Sequence, residues 1–118
     1  MLLNNTGINK VFLVGQIEKE PRLHKNQDKE DELYFTLATT EQIKKGNDYI
    51  EHIELHSVKV PVTHSCMSNV TLTKGQLLHV AGKIQTKMWV DDLKVKRYKT
   101  EILVLQLEVL TTTPVPTY

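Results

Sequence analysis

Apolar and polar residues alternate with a period of two along most of this chain, so strands are its main predicted element. The run KVFLVGQI (Lys10 to Ile17) is nearly all apolar, as in a strand covered on both faces, and Pro21 soon ends it. ELYFTLAT (Glu32 to Thr39) sets Leu33, Phe35 and Leu37 on one face and Tyr34, Thr36 and Ala38 on the other. YIEHIELHSVKV (Tyr49 to Val60) reads as a third strand stopped by Pro61. A fourth is expected from about Gln76 to Trp89. A fifth runs from about Lys94 to Leu110, its ILVLQLEVL end placing Leu103, Leu105, Leu107 and Val109 on one face.

Between Thr63 and Thr73 the alternation fails, and THSCMSNVTLT predicts a short helix or irregular crossover. LHKNQDKEDE (Leu23 to Glu32) and EQIKKGND (Glu41 to Asp48) read as polar loops, the second a mobile hairpin tip. The acidic cluster from Asp28 to Glu32 reads as a solvated loop tip. Three strands, a short helix and two strands make an all-β fold with one short helix. That order is that of a five-stranded OB-fold Greek-key barrel. A single domain is expected over residues 1–110, with residues 111–118 (TTTPVPTY) a short, disordered C-terminal end.

The single tryptophan, Trp89, falls on an unexpected face. In the fourth strand it shares odd parity with Lys83, Gln85 and Lys87, whereas Val80, Gly82, Ile84, Met88 and Val90 share the apolar face. From Lys83 to Lys99, six positive residues (Lys83, Lys87, Lys94, Lys96, Arg97 and Lys99) meet only Asp91 and Asp92, in a chain whose net charge is +1. A hairpin of the last two strands would carry a basic ribbon with Trp89 at its end and Tyr98 close by. Single-stranded nucleic acid is bound in this way: cations follow phosphates, and flat rings stack on bases at ~1–3 kcal/mol each. A half-buried Trp beneath the stems of solvated lysines fits the same pattern.

Other chemistries are poorly supported. His52 and His56 share a strand face but lie ~13 Å apart along it, too far to share a metal, and His64-x-Cys66 supplies only two ligands. Cys66 lies in an apolar stretch without an activating neighbour. Asp91 and Asp92 suit a turn's local hydrogen bonds. No glycine-rich phosphate cradle occurs. No enzyme activity, cofactor or metal is expected. One cysteine, no leader pattern and no apolar run near the ~20 residues needed for a span point to a cytoplasmic protein.

Five stretches in order resemble the bacterial single-stranded DNA-binding protein family: NKVFLVGQI (Asn9 to Ile17), FTLATTE (Phe35 to Glu41), IELHSV (Ile53 to Val58), KGQLLHVAGKIQTKMW (Lys74 to Trp89) and RYKTEILV (Arg97 to Val104). The resemblance implies an OB-fold that binds single-stranded DNA without marked sequence preference, in replication, recombination or repair. It also implies a homo-oligomer, a tetramer before a dimer. Trp89 matches a base-stacking position of the family, and His56 a position of subunit contact. Where the family carries further aromatics, this chain has Ile43, Leu55 and Pro61. Leu55 then offers a base only an aliphatic surface.

The expected DNA-binding set is therefore Trp89, Lys83, Lys87, Lys96, Arg97, Lys99, Lys59 and Leu55, with Tyr98 as a second aromatic and Lys44 and Lys45 as loop cations. The family's acidic C-terminal tip has no counterpart in TTTPVPTY, so partners that depend on it are not expected. Two alternatives stand beside this reading: a primosome-type relative of the same fold, and an OB-fold assembly module with weakened DNA affinity.

Overall fold

The computed structural model describes residues 6–111; the end expected to be disordered lies, beyond Thr111, outside the described residues. Six strands form: β1 (Val11–Ile17), β2 (Arg22–His24), β3 (Glu32–Lys45), β4 (Asp48–Pro61), β5 (Leu77–Val90) and β6 (Lys96–Val109). The crossover between β4 and β5 holds a single 3-10 turn, Ser65–Met67. Five strands close a barrel in the order β1-β5-β6-β4-β3, and β3 returns to β1 through Gln16 opposite Ala38 and Ile17 opposite Leu37. All neighbours are antiparallel except β4 and β6, which pair in parallel at Val58 and Ile102. This is the OB-fold barrel that the element order predicts.

Inward-facing residues of every barrel strand fill the interior: Ile17, Phe35, Leu37, Val58, Val60, Leu78, Val80, Ile102 and Val104, with Leu72 from the crossover. A side chain of this kind contributes roughly 1.5–3 kcal/mol when fully buried. The 3-10 turn closes one end, packing Cys66 and Met67 against this core. His64 is its N-cap, its Nδ1 accepting the Cys66 amide at 3.1 Å. Burial pushes the Cys66 thiol up, which keeps it protonated and inert.

Four parts of the fold depart from the expectation. First, the segment read as the start of a loop contains β2, a three-residue strand laid on β3 with Arg22 opposite Tyr34 and His24 opposite Glu32. Three residues are too few for a period to register.

Second, Glu41 to Asp48 is not a loop. β3 and β4 stay paired out to Lys45 and Asp48, leaving only Gly46 and Asn47 in the turn. Gly46 has φ +66°, the conformation that a two-residue hairpin loop asks of glycine.

Third, the register of β5 and β6 slips between Ala81 and Gly82, so that Ala81 faces Gln106 while Gly82 faces Val104. Leu105 is the extra residue of this bulge, which reverses parity along β6. Ile102 and Val104 therefore point inward, Leu103 does not, and Leu105 is exposed, whereas Leu107 and Val109 beyond the bulge pack on the core. The four residues expected on one face are split. Gly82 permits the close approach, since a Cβ there would overlap the Leu103 carbonyl.

Fourth, the β3–β4 and β5–β6 hairpins extend beyond the barrel. Past Gly82 the apolar parity of β5 is no longer interior: Ile84, Met88 and Val90 are each about half exposed. These arms are held by backbone ladders and cross-strand pairs worth roughly 0.2–1 kcal/mol each. Their side chains are left available on both faces.

Candidate nucleic-acid interface

The pairing of β5 with β6 decides which of the expected residues share a surface. Residues directly opposite one another point to the same side of a sheet. Lys83 faces Leu103, Gln85 faces Glu101, Lys87 faces Lys99 and Trp89 faces Arg97. This surface is the barrel's exterior, because Ile102 and Val104 point the other way into the core. The same exterior continues over β4 and β3, where Lys59 faces Tyr34, Ser57 faces Thr36 and Leu55 faces Ala38. Trp89, Lys83, Lys87, Arg97, Lys99, Lys59 and Leu55 thus lie on one continuous face. Trp89 is 43% exposed and Leu55 54%.

Lys96 and Tyr98 do not join them. Tyr98 faces Met88, and Lys96 faces Val90, on the opposite side of the hairpin. They flank Arg97, the cross-strand partner of Trp89, yet lie on the other side of the sheet from it. Lys44 is on the exterior side, opposite Tyr49, at the far end of the other arm, and Lys45 faces Asp48. Ile43 faces Ile50 on the side opposite Leu55. His56 donates to or accepts from Thr39 Oγ1 at 2.9 Å, in a groove it lines with Phe12, Val14 and His52. His52 itself pairs with Glu54 Oε2 at 2.7 Å.

The middle of the exterior face is organised by Glu101, which is 1% exposed. Its Oε1 lies 3.4 Å from Lys59 Nζ and 3.8 Å from Lys87 Nζ, and its Oε2 lies 3.8 Å from Lys99 Nζ. Oε2 has no hydrogen-bond partner among the described residues. Three ammonium groups on three strands thus converge over one buried carboxylate, which offsets their mutual repulsion and leaves a positive excess above it. A carboxylate removed from water is costly unless paired, so these lysines are what make the position tolerable.

Lys87 also lies 6.0 Å from the ring centroids of both Trp89 and Tyr34, within cation–π reach of each. Tyr34 is a residue the sequence reading placed on a strand face without assigning it a role. The only sequence signal is its parity with Thr36 and Ala38; its approach to Lys87 crosses the exterior face from β5 to β3 and cannot be read from local spacing. Burial, reinforced by Glu32 and Glu101, raises its hydroxyl above the usual tyrosine range, so the ring stays neutral.

The hairpin end that carries Trp89 is braced by Asp91. Its Oδ1 accepts the Leu93 and Val95 amides, each at 2.9 Å, and its Oδ2 accepts Arg97 Nε at 3.0 Å. The Val95 amide first, then Arg97 and Leu93, hold this carboxyl below the usual aspartate range. Asp91 thereby fixes both the turn and the guanidinium that stands opposite Trp89. Asp91 thus supplies the turn's local hydrogen bonds, as its position predicts.

Comparison with known proteins agrees with the barrel. Residues 8–110 match the model of the single-strand binding protein family. A single-stranded DNA-binding protein 1 of Chlorobaculum tepidum is 31% identical over 107 residues, covering 88% of this chain and 65% of that protein. This chain therefore spans somewhat less than two thirds of that relative's length. Among solved structures, a Plasmodium falciparum SSB complex with ssDNA superposes with a TM-score of 0.77 at 23% identity, over 92% of this chain and all (100%) of the other. The wild-type single-stranded DNA-binding protein from Thermus aquaticus gives a TM-score of 0.73 at 23% identity, over 90% of this chain and 52% of its own. With five strand motifs in order, the closed barrel and a family match over nearly the whole described length, the chain belongs to the single-strand binding protein family.

Proposed function

We propose that this chain binds single-stranded DNA without marked sequence preference, serving replication, recombination or repair. The observation that carries the reading is the exterior face on which Trp89 stands exposed beside Lys87, Arg97 and Lys99. A base stacks on the Trp89 indole, while Lys83, Lys87, Lys99 and Arg97 meet phosphates and Leu55 offers an apolar contact at the other end. Lys59, held low on Glu101, contributes to the field more than to direct contact. Stacking supplies ~1–3 kcal/mol per base, and it tolerates any sequence because every base has a π-face. Lys96 and Tyr98, on the far side of the hairpin, are left out of the contact set. The family is a non-enzymatic one, and no catalytic step belongs to this function.

Self-association is part of the proposal. Phe12 and Val14 of β1 are both exposed, and Phe12 stacks on His79 at 6.4 Å. Such an apolar strip suits a second copy of the chain, with His56 near its border. A tetramer is favoured, in the cytoplasm; no helix among the described residues is long and apolar enough to cross a membrane.

An electrophoretic shift at low salt tests the DNA claim. Retardation of oligo-dT, but not of an equal length of duplex, supports it. No retardation of either overturns it and favours an assembly module.

A further inference from the structure

We propose a second nucleotide subsite beside Trp89, built by Tyr34 with Arg22, His24 and Lys87, which takes a nucleobase and its neighbouring phosphate. It rests on the single-stranded DNA reading and extends it to a part of the surface where no contact was expected.

β2 creates the site. Pairing of Arg22 with Tyr34 puts both on the exterior side of the sheet, and His24, two residues on, shares that side. The His24 ring meets Tyr34 edge-on, at 5.9 Å and 82°, a favoured aromatic geometry that fixes the tyrosine plane. From β5, across the same exterior face, Lys87 brings its ammonium 6.0 Å from the same ring.

Arg22, Leu23, His24, Tyr34 and Lys87 enclose an open groove of about 410 Å³, within the usual size for a small-ligand site. A second hollow of about 250 Å³ shares Arg22 and Tyr34 and leads on past Lys19 to Lys99. The two hollows thus join Lys87 and Tyr34 to Arg22 and Lys99, and Lys87 stands 6.0 Å from the Trp89 ring.

The chemistry of this groove suits a nucleotide better than other small ligands. It has one neutral aromatic ring for a base, an apolar wall at Leu23, and two permanent cations for phosphate. A guanidinium in particular matches phosphate with two parallel donors. Because Lys87 is equidistant from the Tyr34 and Trp89 rings, the two lie within twice that distance, and nearby nucleotides of one strand can reach both. Tyr34 thereby replaces part of the stacking area that Ile43, Leu55 and Pro61 do not supply.

Paired substitutions test the subsite. Tyr34→Phe keeps the ring and is expected to bind oligo-dT like the unaltered chain. Tyr34→Leu removes the π-face and is expected to weaken binding roughly five- to hundred-fold, with Trp89 fluorescence still quenched at saturation. Tyr34→Leu binding as tightly as the unaltered chain would overturn the subsite and leave the DNA reading standing. If the unaltered chain binds no oligo-dT, both fall together. Photo-crosslinking of the unaltered chain to oligonucleotides carrying 5-iodouracil gives a check independent of folding. Adducts on Tyr34 or His24 support the subsite, and adducts confined to other residues overturn it.

Discussion

Glu101 Oε1 lies 3.4 Å from Lys59 Nζ, with the carboxylate 1% and the lysine side chain 14% exposed. This pair forms the floor of the exterior face, and Lys87 and Lys99 reach down to the same carboxylate from 3.8 Å. Those two are about half exposed, whereas Lys59 is largely buried.

Replacing Glu101 by Gln should therefore have two opposite effects. Folding stability should fall by about 1–3 kcal/mol, since a buried charge-paired group is lost. The positive excess of the face should rise by one charge, so Lys87 and Lys99 should hold phosphate more tightly. Affinity for oligo-dT at low salt should rise. Chemical denaturation and a salt titration with oligo-dT read the two effects separately.

The two faces of the β5–β6 arm should respond differently. Tyr98→Ala is expected to leave oligo-dT affinity within about twofold, because Tyr98 faces Met88 on the side away from Trp89. Trp89→Ala should cost ~1–3 kcal/mol of binding with little change in melting temperature, since an exposed ring leaves no large cavity. Parallel binding isotherms and melts of the two variants decide the matter.

Gly82 holds the bulge. A Cβ there would overlap the Leu103 carbonyl, which is backbone and has no rotamer to yield. Gly82→Ala should destabilise the fold by about 1–3 kcal/mol, measured by the denaturation midpoint.

Asp91 should make the hairpin end sensitive to acid, in a definite direction. Its carboxyl is held below the usual range in the folded chain, chiefly by the Val95 amide. Its contribution is therefore fully present above the unfolded value, about pH 3.9, and is lost as pH falls through the lower folded value. The Leu93 and Val95 amide resonances should keep their hydrogen-bonded positions at pH 5 and change only below the ordinary aspartate range. In Asp91→Ala they should be shifted at every pH.

The barrel was readable from the sequence because its strands alternate over many residues, and the side of Trp89 was readable because no bulge intervenes between Lys83 and Trp89. The reading of β6 failed at Leu105, since one inserted residue alters neither composition nor hydropathy while reversing every side chain beyond it. A hairpin of the last two strands brings Tyr98 close to Trp89; only the cross-strand register, Trp89 opposite Arg97, shows that they point to opposite sides. Tyr34, Arg22 and Glu101 were missed for a related reason. Their significance comes from Lys87 and Lys59 on other strands, and non-local approach leaves no mark on local spacing.

Trp89 is the only tryptophan of the chain, so its fluorescence reports one position on the surface in question. Titration with oligo-dT should quench it, the apparent affinity should fall as salt is raised, and duplex DNA should produce little response. An emission that is unchanged by saturating oligo-dT at low salt would contradict the assignment of this face to single-stranded DNA.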